Sequence, residues 1–314
     1  MPDNLSTISA DGSEKYESAS KDIAINDTFY HTPFNYFVVR TVDPVPKDAG
    51  LKLYTSFQGS MLSGLNGLYK SSYFDTVAKE TRHLATTHFE PVAARKAFPC
   101  LDEPNLKAEF SIRVIHRDSY TALSNMPTET THSPVWEESE DLVVTTFQRS
   151  VKMSTYLVCV IVCDFGHIQI KSSSGKLIRV YAPDDRLSQA HYALQVAKHT
   201  VDDFEGRLKI DYVLPKVDLV AIPDFSSGAM ENWGLITFRE TALLCDPDSV
   251  SANAQQRVAE VVVQELAHQW FGNLVTMNWW NDVWLNKGFA SYMQYVGTST
   301  KQPAWDMILC HRLF

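Results

Sequence analysis

The sequence predicts two domains of different fold class, an all-β sandwich followed by an α+β domain. Three observations support this division of the 314-residue chain. Short apolar segments separated by turn residues fill residues 51–165, as expected for antiparallel strands. Farther along, apolar residues recur at helical spacing in 187–208 and in 253–271. Between the two patterns, the Ser- and Gly-rich stretch IKSSSGK, residues 170–176, is typical of a domain joint.

The predicted sandwich occupies residues 31–172. Residues 1–30 are polar and poor in large apolar groups, which predicts a disordered tail before it. From Glu109, EFSIRVIHR alternates apolar and polar residues, the pattern of a half-buried strand. DLVVTTFQ from Asp141 and STYLVCVIVC from Ser154 predict two further strands, because β-branched and aromatic residues dominate both.

The predicted α+β domain occupies residues 173–314. KLIRVYA, KVDLVAI and GLITFRE are its predicted strands. One long helix is predicted to begin at a capping box formed by Asn253 and Gln256 and to end at Phe271, where Gly and Asn follow. Another helix is predicted to begin near Lys287. Strands mixed with long helices are typical of an α+β domain.

Charge and composition narrow the function classes. The chain has 28 basic and 37 acidic residues, a net charge of −9, and no basic run interleaved with aromatics, so we predict no nucleic-acid partner. The longest apolar run, residues 156–163, is far shorter than the about 20 residues that span a bilayer, so we predict no membrane segment. The five cysteines lack C-x-x-C spacing, and the sequence leaves the compartment open.

The strongest chemical signal is VVVQELAHQWFGN, residues 261–273. On a helix, Gln264, Glu265 and His268 share one face because they are spaced three and four apart. A zinc peptidase places two histidines at the outer two positions, with the glutamate between them as general base toward a metal-bound water. The third protein ligand of such a metal is usually a carboxylate on a following helix.

Residues 261–292 as a whole resemble the aminopeptidase N family of zinc metallopeptidases, the gluzincin aminopeptidases. That family carries HELAHQWFGN followed by WWND-x-WLNEGFA. GAMENWG, residues 228–234, is similar to its exopeptidase signature, and TTHFEPVAARKAFPCLDEP, residues 86–104, to its substrate-pocket segment. The resemblance covers residues 51–305 and implies a thermolysin-like, mostly helical catalytic domain behind the β-sandwich.

The resemblance implies a role for each matching residue. His268 matches a zinc ligand and Glu265 the general base. Glu231 matches the carboxylate that binds the free α-amino group of a peptide, and Glu90 a second carboxylate near that amine. The other predicted substrate-binding residues are Gly228, Ala229, Met230, Asn232 and His88. The family usually has Gln at the last of these positions, and the histidine there either tunes specificity or fills space.

Two departures from the family pattern bear on function. Gln264 stands where the family has its first zinc histidine, and a neutral amide is a poor zinc ligand. Lys287 stands where the family has its glutamate ligand, and a charged ammonium has no lone pair to coordinate with. We therefore expect zinc to be absent or weakly bound, leaving a catalytically defective homologue that still binds peptides with a free N-terminus. We also expect Lys287 to pair with Glu265 in place of the metal.

Two other functions stay open on the sequence. One is an active zinc aminopeptidase in which water or another side chain completes the coordination; the other is a non-catalytic partner of a full-length relative. Both domains are predicted to be incomplete relative to the family, as in a fragment or a splice product. The oxyanion-stabilising tyrosine that the resemblance implies would lie beyond Phe314. Many family members are membrane-anchored ectoenzymes, but no signal or anchor is visible in this chain.

Overall fold

The computed structural model describes residues 22–61, 64–133, 141–246 and 250–307. The chain divides into one unit that ends at Gln58 and another that begins at Gly59. In the first unit, strands β1 (Ile25–His31) and β2 (Tyr36–Thr41) form an antiparallel hairpin around a 3-10 turn, Thr32–Phe34.

This hairpin corrects part of the predicted disordered tail. Residues 1–21 lie outside the described part of the chain, but residues 25–30 belong to β1. Phe29 is opposite Val38, and the Tyr30 ring lies 5.1 Å from that of Phe37. Aromatic and β-branched pairs across two strands stabilise a ladder, and here they outweigh the polar composition of the preceding residues.

The second unit opens with seven strands in two antiparallel sheets. They are β3 (Gly67–Asp75), β4 (Glu80–His88), β5 (Arg113–Arg117), β6 (Thr121–Ser124), β7 (Thr128–His132), β8 (Leu142–Phe147) and β9 (Val160–Cys163). The four-stranded sheet has the order β3-β4-β9-β6 and the three-stranded sheet the order β5-β8-β7. The predicted class of this part of the chain, an all-β domain of two sheets, is confirmed.

The last predicted strand of this region is shorter than expected. Residues 155–157 form a 3-10 turn, and β9 begins only at Val160. Ser154 Oγ donates to the carbonyl of Pro104, and Thr155 Oγ1 donates to Asp102 at 2.6 Å. These side-chain hydrogen bonds hold the segment in a turn, although its apolar composition favours a strand.

A mixed five-stranded sheet follows. Its elements are β10 (Gly166–Lys171), β11 (Leu177–Ala182), helix α1 (His191–Leu208), β12 (Lys216–Ile222), β13 (Ala229–Met230) and β14 (Leu235–Arg239). The strand order is β10-β11-β12-β14-β13, with β12 parallel to both of its neighbours. Every residue of β12 is buried, as expected for a central strand covered on both faces.

The predicted domain joint at 170–176 is instead the turn of a hairpin. β10 and β11 pair from Gly166 opposite Ala182 to Lys171 opposite Leu177. Gly175 has a φ of +87°, the left-handed conformation that glycine adopts without strain. Ser- and Gly-rich composition suits a tight turn as well as a linker, so a boundary between 172 and 173 would divide one sheet.

The remaining helices are α2 (Glu240–Leu243), α3 (Ala252–Ala267) and α4 (Trp284–Lys301). The N-cap of α3 is Ser251, whose Oγ accepts from the Ala254 N–H at 3.2 Å, so the predicted capping box at Asn253 is wrong. α4 begins three residues before Lys287. In the described ranges, no helix is both long and apolar enough to cross a membrane.

Helices α3 and α4 pack closely against each other and against α1. Gly297 allows this approach, because a Cβ at that position would lie 2.7 Å from Val263 Cγ1 and 3.0 Å from Phe204 Cε1. The three helices and the mixed sheet enclose one apolar core that extends to the four-stranded sheet. This core fixes the end of α3 and the first turn of α4 beside the edge strand β13.

Candidate active site

The structure brings five of the predicted site residues together. Glu265 lies in the last turn of α3, and His268 is the residue that caps it. Lys287 lies in the first turn of α4, Glu231 directly follows β13, and Glu90 comes two residues after β4. Two helices, an edge strand and a loop of the β domain therefore form one site.

The segment that carries Glu231 is held by side chains from the end of α3. Gln269 Nε2 and Asn273 Nδ2 donate to the main-chain oxygen of Glu231, at 3.3 Å and 2.8 Å. Gln269 Oε1 also accepts from the Gly234 N–H at 3.1 Å. From the sequence, Asn273 was expected only as part of the stop signal after Phe271 and Gln269 had no assigned role, although both lie within the HQWFGN stretch. The structure shows that this stretch positions the GAMENWG segment.

Gly234 lies at a point of the GAMENWG segment where there is no room for a side chain. Its φ is +78°, and a Cβ would lie 2.6 Å from the Asn125 carbonyl oxygen and 2.7 Å from Leu214 Cδ1. Asn125 Nδ2 donates to the Trp233 carbonyl at 2.9 Å, and Lys216 Nζ to that of Gly234 at 2.7 Å. Both donors are buried and far away in sequence, so no local pattern indicated them.

The ammonium of Lys287 lies between two carboxylates. Its Nζ is 2.6 Å from Glu231 Oε1 and 3.1 Å and 3.2 Å from the two oxygens of Glu90. The predicted pair between Lys287 and Glu265 is therefore wrong. Lys287 instead satisfies Glu231, whose side chain is 2% exposed, together with the Glu90 carboxylate across from it. A buried carboxylate needs such a charged partner.

Glu265 is buried without such a partner. It is 6% exposed, and its Oε2 has no hydrogen-bond partner among the described residues. Burial and then the negative charge of Glu231 raise the pKa of Glu265 well above its ordinary value. The carboxyl group in the predicted general-base position is therefore stabilised in its protonated form.

His268 keeps the geometry of a ligand. Its Nδ1 lies 3.0 Å from the Phe271 carbonyl oxygen, and donation of the Nδ1 hydrogen to that oxygen leaves Nε2 with its lone pair. Burial lowers the pKa of His268, which favours the neutral imidazole. Ligand atoms of Glu231, Glu265 and His268 lie within 4.8 Å of one another, so among the described residues these three could approach one metal ion.

The two carboxyl groups around Lys287 differ in protonation. Burial, followed by the charge of Glu231, raises the pKa of Glu90 to about 7. Burial also acts to raise the pKa of Glu231, but His268 and Lys287 outweigh it and lower that pKa. The nearby carboxylates outweigh burial at Lys287 too and raise its pKa. The favoured state joins the Lys287 ammonium to an ionised Glu231.

The other predicted substrate-binding residues lie at the end of β4, in β13 and next to β13. His88 ends β4, is 8% exposed and stacks on the Phe225 ring at 5.1 Å. Gly228 accepts a main-chain hydrogen bond from the Arg239 N–H at 2.9 Å, which starts the pairing of β13 with β14. Ala229 is partly exposed and Met230 is buried, and both lie in β13. Asn232 Nδ2 donates to Thr237 Oγ1 at 3.2 Å, which fixes the turn after Glu231.

Two residues missed by sequence reasoning position the first turn of α4. Tyr156 Oη donates to the Gly272 carbonyl at 3.2 Å and accepts from Asn286 Nδ2 at 3.2 Å. Asn286 Oδ1 accepts from the Met277 N–H at 3.2 Å. Asn286 directly precedes Lys287, so these bonds aim the lysine into the site. The only sequence signal was the position of Asn286 within WLNKGFA.

Comparison with known proteins agrees with this arrangement. Residues 6–157 match the model of the peptidase M1 N-terminal domain, and residues 192–313 match the peptidase family M1 domain. The chain is 51% identical over 247 residues to endoplasmic reticulum aminopeptidase 2 of Bos taurus, covering 79% of this chain and 25% of that protein. It is 43% identical over 297 residues to glutamyl aminopeptidase of Sus scrofa, and this match covers 93% of this chain and 31% of that protein.

A third relative is aminopeptidase N of Homo sapiens, 43% identical over 285 residues, covering 90% of this chain and 29% of that protein. The chain thus spans about a quarter to a third of the length of these relatives. The two matched domains follow one another in the order of the β-rich region and the helical region. Inside the second matched domain, Gln269 and Asn273 hold the GAMENWG segment, and this chain belongs to the M1 family of peptidases.

Proposed function

We propose that this chain is a homologue of the zinc aminopeptidases whose site is catalytically defective because it does not hold zinc tightly. The observation that carries the proposal is the Lys287 ammonium, 2.6 Å from Glu231, on the helix where the family resemblance implies a carboxylate ligand. A positive charge at that point repels a divalent cation.

The donor set does not fit a zinc site. Zinc in peptidases takes three protein ligands from imidazole and carboxylate groups and keeps one position open. His268 supplies an imidazole, whereas Gln264 offers an amide and Lys287 an ammonium without a lone pair. Removing a group that merely orients a ligand costs about 10–100-fold in metal affinity, so replacing two ligands should cost at least about 10²–10⁴-fold.

A second candidate function is an active zinc aminopeptidase. The observation that favours it is the proximity of Glu231, Glu265 and His268, whose ligand atoms lie within 4.8 Å of one another. Such a site would have to take Glu231 from Lys287 and use Glu265 as a ligand, leaving no general base. The second candidate therefore requires a different arrangement of the same residues.

The proposed function keeps recognition of peptides with a free N-terminus. β13 is the edge strand of its sheet, and Ala229 in it is partly exposed, so an extended peptide could pair with its main chain. The carboxylates of Glu231 and Glu90 at the end of β13 suit a primary ammonium. The proposed chemistry is thus binding of a peptide end without hydrolysis, in competition with the Lys287 ammonium for the same two carboxylates.

Hydrolysis of an aminoacyl-arylamide tests the proposal. We expect the rate for the unmodified chain to equal that of a Glu265→Ala variant, with or without added zinc. A rate that exceeds this control and is abolished by a chelator would favour the active enzyme. A third possibility is a non-catalytic partner of a full-length relative. Co-purification of the two chains tests it, because a defective enzyme need not bind a relative.

A further inference from the structure

We infer that Lys287 is an internal ligand of the Glu90–Glu231 carboxylate pair and closes that pair to external amines. The inference rests on the proposed function only for the nature of the external ligand, a peptide end. The closure itself rests on the positions of three side chains in this structure.

The ammonium of Lys287 donates to both glutamates, to Glu231 Oε1 at 2.6 Å and to Glu90 Oε2 at 3.2 Å. Its Nζ also lies 3.1 Å from Glu90 Oε1, so three carboxyl oxygens surround a group that carries three N–H donors. Hydrogen bonds in which the donor or the acceptor is ionised are about twice as strong as neutral ones. The pair of glutamates therefore forms a cradle for one primary ammonium, and the chain supplies that ammonium itself.

The surroundings of the cradle require a cation. The Glu231 side chain is 2% exposed, and neutral packing cannot satisfy a charge buried so deeply. Glu265 is 6% exposed, its Oε2 has no hydrogen-bond partner among the described residues, and a carboxylate oxygen of it lies within 4.8 Å of Glu231. Glu265 borders the same space, and Lys287 is the ammonium that the described residues place against Glu231 and Glu90.

Lys287 is also the component that can leave. Its side chain keeps 39% of its surface exposed, against 2% for Glu231 and 21% for Glu90. Because it lies in the first turn of α4, it can rotate toward solvent without moving the backbone of β13 or α3. A tethered group acts at an effective concentration in the millimolar range, so external amines below that concentration are excluded.

The direct test removes the ammonium and supplies a free one. Propylammonium chloride is added to the unmodified chain, to Lys287→Ala and to Lys171→Ala, and the midpoint of thermal unfolding is followed. Lys171 is an exposed lysine of β10 and serves as the matched control. We expect propylammonium to raise the midpoint only in Lys287→Ala, and tetramethylammonium chloride, which has no N–H donor, to have no such effect.

Two outcomes would overturn the inference. One is an equal response of the unmodified chain to propylammonium; the other is a Lys287→Ala variant that is folded by circular dichroism yet does not respond. If Lys287→Ala does not fold, the acetylation rates of Lys287 and Lys171 in the unmodified chain test the inference instead. Lys287 should then react at least about tenfold more slowly than Lys171, since its hydrogen bonds must break first, whereas equal rates would contradict the closure.

A peptide arm separates this inference from the proposed function. Trialanine and N-acetyl-trialanine are titrated into Lys287→Ala by calorimetry. Binding of trialanine alone supports both the closure and recognition of peptide ends. Rescue by propylammonium without binding of trialanine supports the closure and contradicts recognition of peptide ends. Binding of trialanine to the unmodified chain as tightly as to Lys287→Ala contradicts the closure.

Discussion

Nζ of Lys287 lies 2.6 Å from Oε1 of Glu231, and this contact joins the first turn of α4 to the residue that follows the edge strand β13. The two residues are 56 positions apart in the chain. In this arrangement the Lys287 ammonium balances the charge of the buried Glu231 carboxylate. We expect this ammonium to weaken the binding of a metal ion beside it, because two cations close together repel each other.

Restoring the missing ligands should restore a metal site. We expect the double variant Gln264→His with Lys287→Glu to bind close to one zinc per chain, because it places two imidazoles and a carboxylate around one point. Elemental analysis after dialysis against a zinc buffer measures this. The single variant Gln264→His is the matched control, since it keeps the lysine. Equal zinc in the single and double variants would show that Lys287 is no obstacle.

Glu231→Gln should destabilise the fold through the loss of one charged hydrogen bond. Removing a hydrogen bond to a charged group costs about 1.5–3 kcal/mol, and the exposed part of Lys287 keeps the expected loss near the lower end of that range. Glu129, an exposed residue of β7, is the control, and Glu129→Gln should change the free energy of unfolding by less than about 0.5 kcal/mol. Urea unfolding measures both, and similar values would contradict a structural pair at Glu231.

Gly234→Ala should be among the more damaging small substitutions in the chain. A non-glycine residue at a φ of +78° is strained, and its Cβ would meet a carbonyl oxygen at 2.6 Å. Strain of about 1–3 kcal/mol and crowding of about 1–3 kcal/mol together predict a loss of about 2–6 kcal/mol.

Gly206 in α1 is the control for this change. A Cβ there meets nothing within 4 Å, so Gly206→Ala should stabilise the chain by about 0.5–1 kcal/mol. Denaturant unfolding of both variants tests the contrast in sign. A neutral Gly234→Ala variant would mean that the segment after Glu231 can shift without cost.

Lys216→Met should also destabilise the fold strongly. Lys216 is 2% exposed, pairs with Asp218 at 2.8 Å and donates to the carbonyls of Ser124 and Gly234. Each hydrogen bond lost with the charged donor costs about 1.5–3 kcal/mol, whereas Asp218 keeps its bidentate pair with Arg179 at 2.6 and 2.8 Å. The matched variant Lys171→Met, at an exposed lysine of the same sheet, should be nearly neutral. Equal stability of the two variants in thermal unfolding would contradict this role.

Local pattern and composition predicted much of this molecule. β12, β14 and α3 follow from apolar runs whose length and spacing leave little choice, and the match of three motifs to the family located Glu231, Glu265 and His268. The cap of α3 was misplaced by two residues because serine and asparagine are both good N-caps, and only the Ser251 hydrogen bond distinguishes them.

The partner of Lys287 could not be predicted in the same way. Its two carboxylates lie 56 and 197 positions away, and their approach depends on how β4, β13 and α4 pack. From the sequence we expected Lys287 to pair with Glu265 of α3, in place of the metal. Gln269 and Asn273 hold the main chain of Glu231. Glu231, rather than Glu265, therefore lies beside the ammonium.

The zinc content of the unmodified chain shows directly whether Gln264 and Lys287 prevent tight metal binding. The protein is equilibrated with micromolar zinc, freed of unbound metal by dialysis and assayed by elemental analysis, with arylamide turnover measured on the same sample. We expect far less than one zinc per chain and no turnover above the Glu265→Ala control. One zinc per chain, together with turnover that a chelator abolishes, would contradict this expectation.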